Sequence, residues 1–444
     1  MKLLQWTSKN LPFSLSYRRG QSEEEKKNEV FGSPLQLLFG LFILLTFISC
    51  KKDSELSTKD VFVQPITSEN EFAAVGSMLL NDGNYLIVTA DQVHPELDRL
   101  PGNLIKLDQK GKIIWNKRLS EANRIIWRVI DLPGTGFATL GRYFPNDTYM
   151  FICIYDYDGN LLSNNRVNTN DQNYYITPFD FILLSNGNFA LAGGDEGYDV
   201  GFLKILDPSF NLLYSKSFFA PDSFYNASFH GICEQPDGNI ALMARTTSIN
   251  HYLQKNLLLI RTTPEGKQLS ASFLPDSNYY ETTNALESYN NGLVAVTSGI
   301  TRGKDDGAYV NYTNNTYAQL ISGRINLVCF DNVGNFSSKK AITGYKGDGM
   351  ISSMRKTDDG GFILCGTVDQ ASSAVIVSYT KIFLVKLNPD LSVEWSRAID
   401  TTNPSYGIDA FQTPDGGFLV TGNLKSLDKQ YEVVVIKMDA HGNF

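Results

Sequence analysis

Two stretches near the end of the chain decide the fold: Thr413-Pro-Asp-Gly-Gly-Phe-Leu-Val-Thr-Gly422 and Thr357-Asp-Asp-Gly-Gly-Phe-Ile-Leu-Cys-Gly366. Each is an Asp-Gly-Gly turn followed by a short apolar strand. Looser copies precede them, and a recurring residue opens the strand after each turn: Tyr85, Phe137, Phe189, Ile240, Leu293, Phe362 and Phe418. A repeat of about fifty residues that contains strand signals is typical of a β-propeller.

A second signal follows the first in every repeat. Its clearest copy is Asn103-Leu-Ile-Lys-Leu-Asp-Gln-Lys-Gly-Lys-Ile-Ile-Trp115, an apolar strand, a tight Asp-to-Gly turn and another strand. A further strand precedes each first turn, for example Gly407-Ile-Asp-Ala-Phe-Gln412. Each repeat therefore predicts four strands, which is the size of one propeller blade.

The strand count also predicts how the ring closes. Six repeats contain signals for four strands, whereas the seventh has three, and a spare strand-like stretch, Asp60-Val-Phe-Val-Gln-Pro-Ile66, precedes the first repeat. We expect this stretch to fill the vacant edge. The predicted fold is an all-β, seven-bladed propeller of four-stranded blades over residues 60–444, closed by an N-terminal strand.

The N-terminal part of the chain resembles an export signal. Residues 35–48 are almost entirely apolar and are followed by Ser49, Cys50 and a polar segment. Such a run is short for a membrane span but has the length of a secretory signal core. The small residue before Cys50 resembles the lipobox of bacterial lipoproteins, in which the cysteine is lipidated. We expect a signal region at 1–49 and a lipidated tether at 50–59; the alternative is a buried apolar stretch with a chance cysteine.

Composition restricts the possible partners. The net charge is −8, which disfavours nucleic acid as a partner. The other four cysteines, Cys153, Cys233, Cys329 and Cys365, lie in apolar strands of different repeats. Their spacing fits neither a disulfide framework nor a zinc site, so we expect these four cysteines to be buried and to act as small apolar residues. We also expect the protein to be a monomer.

Few residues have a spacing that indicates catalysis. The four histidines lie far apart in the sequence, and no zinc, phosphate-loop or nucleophile-elbow motif occurs. The stretch from Asp156 to Asn160 resembles a calcium loop, but the same turn recurs without its second aspartate, Asp158, which favours a structural turn. We therefore predict no metal and no cofactor.

The two faces of the predicted disc differ. Turns between strands one and two and between strands three and four are short, whereas the segments between strands two and three and between blades are long and irregular. Aromatic residues recur before the inner strands. The predicted ligand-binding tyrosines are Tyr175, Tyr225, Tyr280 and Tyr406, with Tyr312 in an insertion at 301–317. The alternative is that these rings pack between blades and that the insertion has no binding role.

The repeats as a whole resemble those of uncharacterised bacterial propeller lipoproteins. The resemblance rests on Asp-Gly-Gly-Phe paired with Lys-Leu-Asp-x-x-Gly-x-x-x-Trp and covers residues 60–444. The stretch that ends at Trp115 also looks like the quinoprotein-type propeller repeat, although only Trp115 and Trp395 match its tryptophans. Propellers host many unrelated functions, so the resemblance predicts the fold more than the activity.

These features favour a non-enzymatic binding or scaffold lipoprotein of the bacterial cell envelope. It would be held by Cys50 at the outer membrane or cell surface rather than the inner membrane, and would bind a sugar polymer, a peptide or a partner protein on its loop face. The alternative is a polysaccharide lyase or glycosidase, which needs paired carboxylates at the channel mouth. Loop candidates for that role are Asp195, Glu196, Asp199, Asp305 and Asp306.

Overall fold

The computed structural model describes fifteen segments of the chain. They are residues 61–66, 72–91, 102–119, 124–143, 150–167, 177–195, 200–219, 224–248, 255–274, 279–301, 323–345, 348–369, 380–401, 403–425 and 431–444. Within these segments the chain forms strands and turns, and no helix there is long and apolar enough to cross a membrane.

The strands form seven antiparallel sheets of four, which confirms the seven-bladed propeller. Blades one to three contain β2 (Phe72–Leu79), β3 (Tyr85–Asp91), β4 (Asn103–Leu107), β5 (Ile113–Arg118); β6 (Arg124–Leu132), β7 (Gly136–Tyr143), β8 (Met150–Tyr155), β9 (Leu161–Val167); β10 (Thr177–Leu183), β11 (Phe189–Asp195), β12 (Val200–Leu206), β13 (Leu212–Phe219). Blades four and five contain β14 (Phe224–Glu234), β15 (Ile240–Ser248), β16 (Lys255–Thr262), β17 (Gln268–Leu274); β18 (Tyr279–Tyr289), β19 (Gly292–Thr301), β20 (Gly323–Phe330), β21 (Phe336–Ala341). Blades six and seven contain β22 (Asp348–Lys356), β23 (Phe362–Asp369), β24 (Thr380–Leu387), β25 (Val393–Ile399); β26 (Ser405–Gln412), β27 (Phe418–Lys425), β28 (Tyr431–Met438) and β1 (Phe62–Ile66).

The ring closes as the sequence predicts. Strand β1 pairs antiparallel with β28, with Phe62 opposite Lys437 and Ile66 opposite Val433. On the other side of the junction, the Asn423 side chain binds Ala74 of blade one: its Oδ1 accepts the Ala74 N–H at 2.8 Å and its Nδ2 donates to the Ala74 carbonyl at 3.3 Å. The first and last blades are thus joined by buried hydrogen bonds as well as by the shared sheet.

The repeat signature has a physical explanation in an ion pair between a buried cation and a partly exposed carboxylate. In four blades the strand 1–2 turn contains an aspartate. In each of them a lysine or arginine near the end of strand three forms an ion pair with that aspartate. The pairs are Lys106–Asp82, Arg261–Asp237, Lys386–Asp359 and Lys437–Asp415. In blades two and five the equivalent strand-three residues are Ile154 and Cys329, and their turns contain no aspartate. The cation of strand three therefore occurs together with the carboxylate that neutralises it.

Neighbouring blades also fit together at the strand 3–4 turns. In four of these turns a glycine at positive φ lies against an aromatic ring of the preceding blade, whereas Gly334 lies against the Arg261 side chain. A Cβ added at Gly159 would lie 2.9 Å from Trp115, and one added at Gly442 would lie 3.0 Å from Trp395. Phe62 of the closing strand occupies the same place against Gly111, 2.5 Å from where a Cβ would be. These close approaches require glycine.

Two turns use a large residue at that same position. Phe210 and Leu391 adopt φ of 64° and 63°, and both are buried. The preceding blades carry Ser163 and Ser338 at the position where blades one, three and six carry Trp115, Tyr214 and Trp395. At these two turns a large residue thus faces a serine on the preceding blade, and burial of Phe210 against Phe189, with ring centroids 4.7 Å apart, offsets the strained backbone.

Candidate functional site

The candidate site is the central channel, which the seven inner strands line. Each inner strand contains a β-bulge at the same place, for example between Ile126 and Arg128, between Pro178 and Asp180, and between Gly407 and Asp409. A bulge bends the strand and changes the direction of the following side chain. The residue after the bulge is charged in three blades: Arg128, Asp180 and Asp409.

Asp180 links three consecutive blades. Its Oδ1 accepts a hydrogen bond from Arg128 Nε of blade two at 3.0 Å, and its Oδ2 accepts the Ile232 N–H of blade four at 3.1 Å. Asp180 itself belongs to blade three, and its side chain is 19% exposed. The carboxylate is therefore neutralised and bonded on both oxygens.

Asp409 repeats this arrangement on the other side of the ring. Its Oδ2 lies 3.0 Å from Arg355 Nη2 of blade six and accepts the Ser77 N–H of blade one at 3.3 Å. Asp409 is buried, and its charge raises the pKa of Arg355 above its already high usual value. Together the two aspartates connect six of the seven blades around the channel.

Blade five contributes Glu287, the least neutralised of these carboxylates. The nearest cation is Lys356 Nζ, 4.0 Å away, and this ammonium donates a hydrogen bond to Ser288 Oγ. Burial raises the pKa of Glu287 to about 7, although Lys356 and Arg355 act in the opposite direction. Glu287 therefore holds its proton to a higher pH than an ordinary glutamate does.

These side chains surround a cavity of about 230 Å³. Its lining includes Arg128, Asp180, Glu287, Arg355 and Asp409 together with Ser77, Ser352 and Ser353. The contributing residues lie in the second half of the inner strands, so the cavity lies toward the face that carries the strand 1–2 turns. The arrangement rigidifies the ring and presents polar groups, but the two Asp carboxylates already accept hydrogen bonds from the protein itself.

The structure describes the side chain of only one of the predicted ligand-binding tyrosines, Tyr406. Tyr406 lies in β26, is 8% exposed and packs near Tyr431, with ring centroids 6.3 Å apart. This ring therefore lies within the protein. Tyr225 and Tyr280 lie on the inner strands β14 and β18, but their side chains, and the whole of Tyr175 and Tyr312, lie outside the described residues. For these four the ligand-binding role stays a prediction.

The other candidate residues divide in the same way. Asp195 is the last residue of β11, but its side chain lies outside the described residues. The same holds for the whole of Glu196, Asp199, Asp305, Asp306 and Cys50. Cys153, Cys233 and Cys365 are buried and form no disulfide, as expected, while Cys329 is half-buried. In the described segments, no group of three His, Cys, Asp or Glu side chains is arranged to hold a metal ion.

The calcium-like stretch forms a structural turn. Both oxygens of Asp156 accept hydrogen bonds from Asn160, one from the backbone N–H at 2.8 Å and one from the side chain at 2.9 Å. The same pattern recurs in three other strand 3–4 turns, at Asp207–Asn211, Asp331–Asn335 and Asp439–Asn443. The carboxylate is used to fix the turn, which confirms the preferred interpretation.

Sequence reasoning missed the charged channel. Arg128, Asp180 and Asp409 occupy one repeat position, but a charge appears there in only some blades, and the bulge that aims it is not visible in the sequence. A usable signal was a charged residue inside an otherwise apolar inner strand.

Comparisons with known proteins show the fold and no family. No family model and no curated protein matches the chain. Among solved structures, a lignostilbene dioxygenase from Pseudomonas brassicacearum superposes with a TM-score of 0.50 at 11% identity, covering 87% of this chain and 92% of that one. A protein of unknown function from Dyadobacter fermentans gives 0.48 at 11% identity over 86% and 99% of the two chains. At such identities the likeness extends to the fold alone.

Proposed function

We propose that this protein is a membrane-anchored bacterial lipoprotein whose propeller binds a ligand or partner without catalysing a reaction. The observation that carries the proposal is the difference between the two faces of the ring. On one face the strand 3–4 turns all have five residues between their strands, as in 108–112 and 388–392, and hydrogen bonds fix them. On the other face the segments between strands two and three range from four residues (196–199) to 21 residues (302–322).

A rigid ring with one variable face is suited to recognition. The channel aspartates and the junction asparagine hold the blades in fixed relative positions, which lowers the entropy cost of binding to any surface that they support. We expect the predicted tyrosines other than Tyr406 to contribute to the variable face, where a tyrosine ring would offer an apolar surface and a hydroxyl group. A sugar polymer, a peptide or a partner protein each fits that chemistry.

The chemistry of the channel supports binding over catalysis. A glycosidase needs one carboxyl group free to donate a proton and a second free to attack or to activate water. Asp180 and Asp409 are both engaged by an arginine and by a backbone N–H. No described pair of residues favours the enzyme alternative, so it carries no separate proposal.

The anchor and the ligand surface have separate tests. Metabolic labelling with an alkyne fatty acid should mark the wild type and leave Cys50→Ser unmarked, and this variant should leave the membrane fraction. Absence of label on the wild type overturns the anchor.

For the ligand surface, glycan arrays and peptide libraries should be screened with wild type and with Tyr225→Ala and Tyr280→Ala. Loss of binding at an unchanged melting temperature is the expected result; release of product from a bound polysaccharide would contradict the non-enzymatic role.

A further inference from the structure

Exposed apolar side chains recur at one position of the propeller. They are the first one or two residues of strand four, directly after the strand 3–4 turn. The set consists of Ile113, Ile114, Leu161, Leu162, Leu212, Leu213, Leu269, Phe336 and Val393, and we call it the apolar rim. Leu162 and Leu213 are 55% and 56% exposed.

The apolar rim encircles one face. Strand four is the outermost strand of each blade, and its first residues lie at the end of the blade that carries the short turns. Since the blades repeat around one axis, these residues form a ring at the perimeter of that face. Isolated exposed leucines are ordinary on protein surfaces, but a set repeated in six consecutive blades forms an extended apolar surface.

The chain joins the propeller at the same place. Strand β1 begins at Phe62, whose partner Lys437 lies at the short-turn end of β28, and the Phe62 ring lies against Gly111 of a strand 3–4 turn. Twelve residue steps separate Phe62 from Cys50, which is a reach of at most about 40 Å. A lipidated Cys50 would therefore hold the short-turn end of β1 within that distance of the bilayer and so raise the effective concentration of the apolar rim near lipid.

The charges near the apolar rim are of both signs. The protein is acidic overall, with a net charge of −8. The charged side chains of the described outer strands are nevertheless mostly basic, and Glu394 is the one acidic residue among them. The basic residues are Lys117, Arg118, Arg166, Lys216, Lys339, Lys340 and Arg397. The strand 3–4 turns of the same face carry mostly carboxylates, so the apolar side chains, and not the net charge, are what suits this face to a lipid surface.

We propose that the apolar rim is a membrane-contact surface, so that the propeller lies with its short-turn face on the bilayer and its variable loop face directed away from it. The occupant is the lipid surface to which the anchor holds the protein. This inference rests on the proposed function for the natural anchor, but the contact itself is tested without natural lipidation. Each apolar rim side chain would enter the headgroup boundary, and positions further along strand four would lie outside it.

The test compares two positions of one strand. Leu162 and Arg166 both lie in β9, four residues and about 13 Å apart, and both are exposed. Residues 51–444, which contain all the strands of the closed ring, carry an N-terminal histidine tag and bind vesicles of phosphatidylethanolamine and phosphatidylglycerol doped with nickel-chelating lipid. An environment-sensitive fluorescent amino acid is encoded at position 162 or at position 166. Melting temperatures equal to that of the untagged full chain establish that both variants fold.

The expected result is a blue-shifted emission at position 162 when vesicles are present, with quenching by spin-labelled lipid several-fold stronger than at position 166. Water-like emission at both positions of vesicle-bound protein overturns the apolar rim as a contact surface, and leaves the result of the Cys50 labelling unaffected. A blue shift at position 162 that depends on protein concentration and not on vesicles also overturns it, because the apolar rim would then bind a second copy of the chain. Replacement of Leu161, Leu162, Leu212 and Leu213 by serine should abolish the shift at a rim position left intact, Ile114.

Discussion

Lys437 Nζ lies 2.8 Å from Asp415 Oδ2, although the lysine belongs to the third strand of the last blade and the aspartate to the turn that opens its second strand. The lysine side chain is 2% exposed and the aspartate 38%. The ammonium also donates to the Met438 carbonyl at 3.1 Å. One buried cation therefore fixes the Asp-Gly-Gly turn to the strand that follows it, and the same contact recurs in three other blades.

Asp415→Ala should destabilise the protein more than the loss of an exposed ion pair, because it leaves Lys437 buried with a single carbonyl partner. We expect a loss of about 2 kcal/mol of unfolding free energy, below the value for fully buried pairs since Asp415 is partly solvated. Asp415→Ala combined with Lys437→Met should recover much of this loss. Urea titration of the two variants measures the difference; a double variant as unstable as the single one would show that the buried charge is not the cause.

This ion pair also illustrates how much the sequence alone predicts. The spacing of the turns predicted seven blades, and the spare strand before Phe72 predicted the closure by β1. Asp415 and Lys437 are both visible in the repeat pattern, but the pattern does not show that their side chains meet. The channel groups could not be predicted from a local sequence pattern. The positions of the Asp180 and Asp409 side chains depend on a β-bulge, and their partners lie about fifty residues away in adjacent blades.

Gly159→Ala should cost more stability than Gly238→Ala. Both glycines adopt a positive φ, 74° and 79°, so both variants suffer the same backbone strain of about 1–2 kcal/mol. At Gly159 the added methyl would also lie 2.9 Å from the Trp115 ring, whereas at Gly238 nothing lies within 4 Å. Differential scanning calorimetry measures the two melting temperatures. Equal decreases would mean that the tryptophan moves aside without loss and that the contact between blades one and two is weak.

Removal of β1 should open the ring. A chain that begins at residue 67 leaves the edge of β28 unpaired, and exposed strand edges pair with other molecules. It also loses the Phe62 contact with Gly111. We expect a lower melting temperature and concentration-dependent aggregation, measured by light scattering. The matched control begins at residue 61 and keeps β1; if the two chains melt alike and remain monomeric, strand β1 does not close the ring in solution.

Glu287→Gln should stabilise the protein at neutral pH and not at acidic pH. The pKa of Glu287 is raised from an ordinary 4.5 to about 7 by burial, so the folded state holds this proton over a range in which the unfolded state has released it. Stability of the wild type therefore falls as the pH rises from about 4.5 to 7 and is constant above that range. The glutamine variant lacks this loss, which is on the order of 3 kcal/mol for a shift of this size.

Asp359 provides the control, because its pKa is lowered whereas that of Glu287 is raised. Burial alone would raise the pKa of Asp359, but hydrogen bonds from Lys386 and Thr357 lower it to about 2. Its contribution to stability is therefore present above about pH 4 and is lost as the pH falls toward 2. Urea titrations of Glu287→Gln, Asp359→Asn and the wild type between pH 4.5 and 8 should show a wild-type deficit relative to Glu287→Gln that grows with pH, and a constant deficit of Asp359→Asn. A pH-independent difference between Glu287→Gln and the wild type would mean that Glu287 ionises normally in a solvated channel.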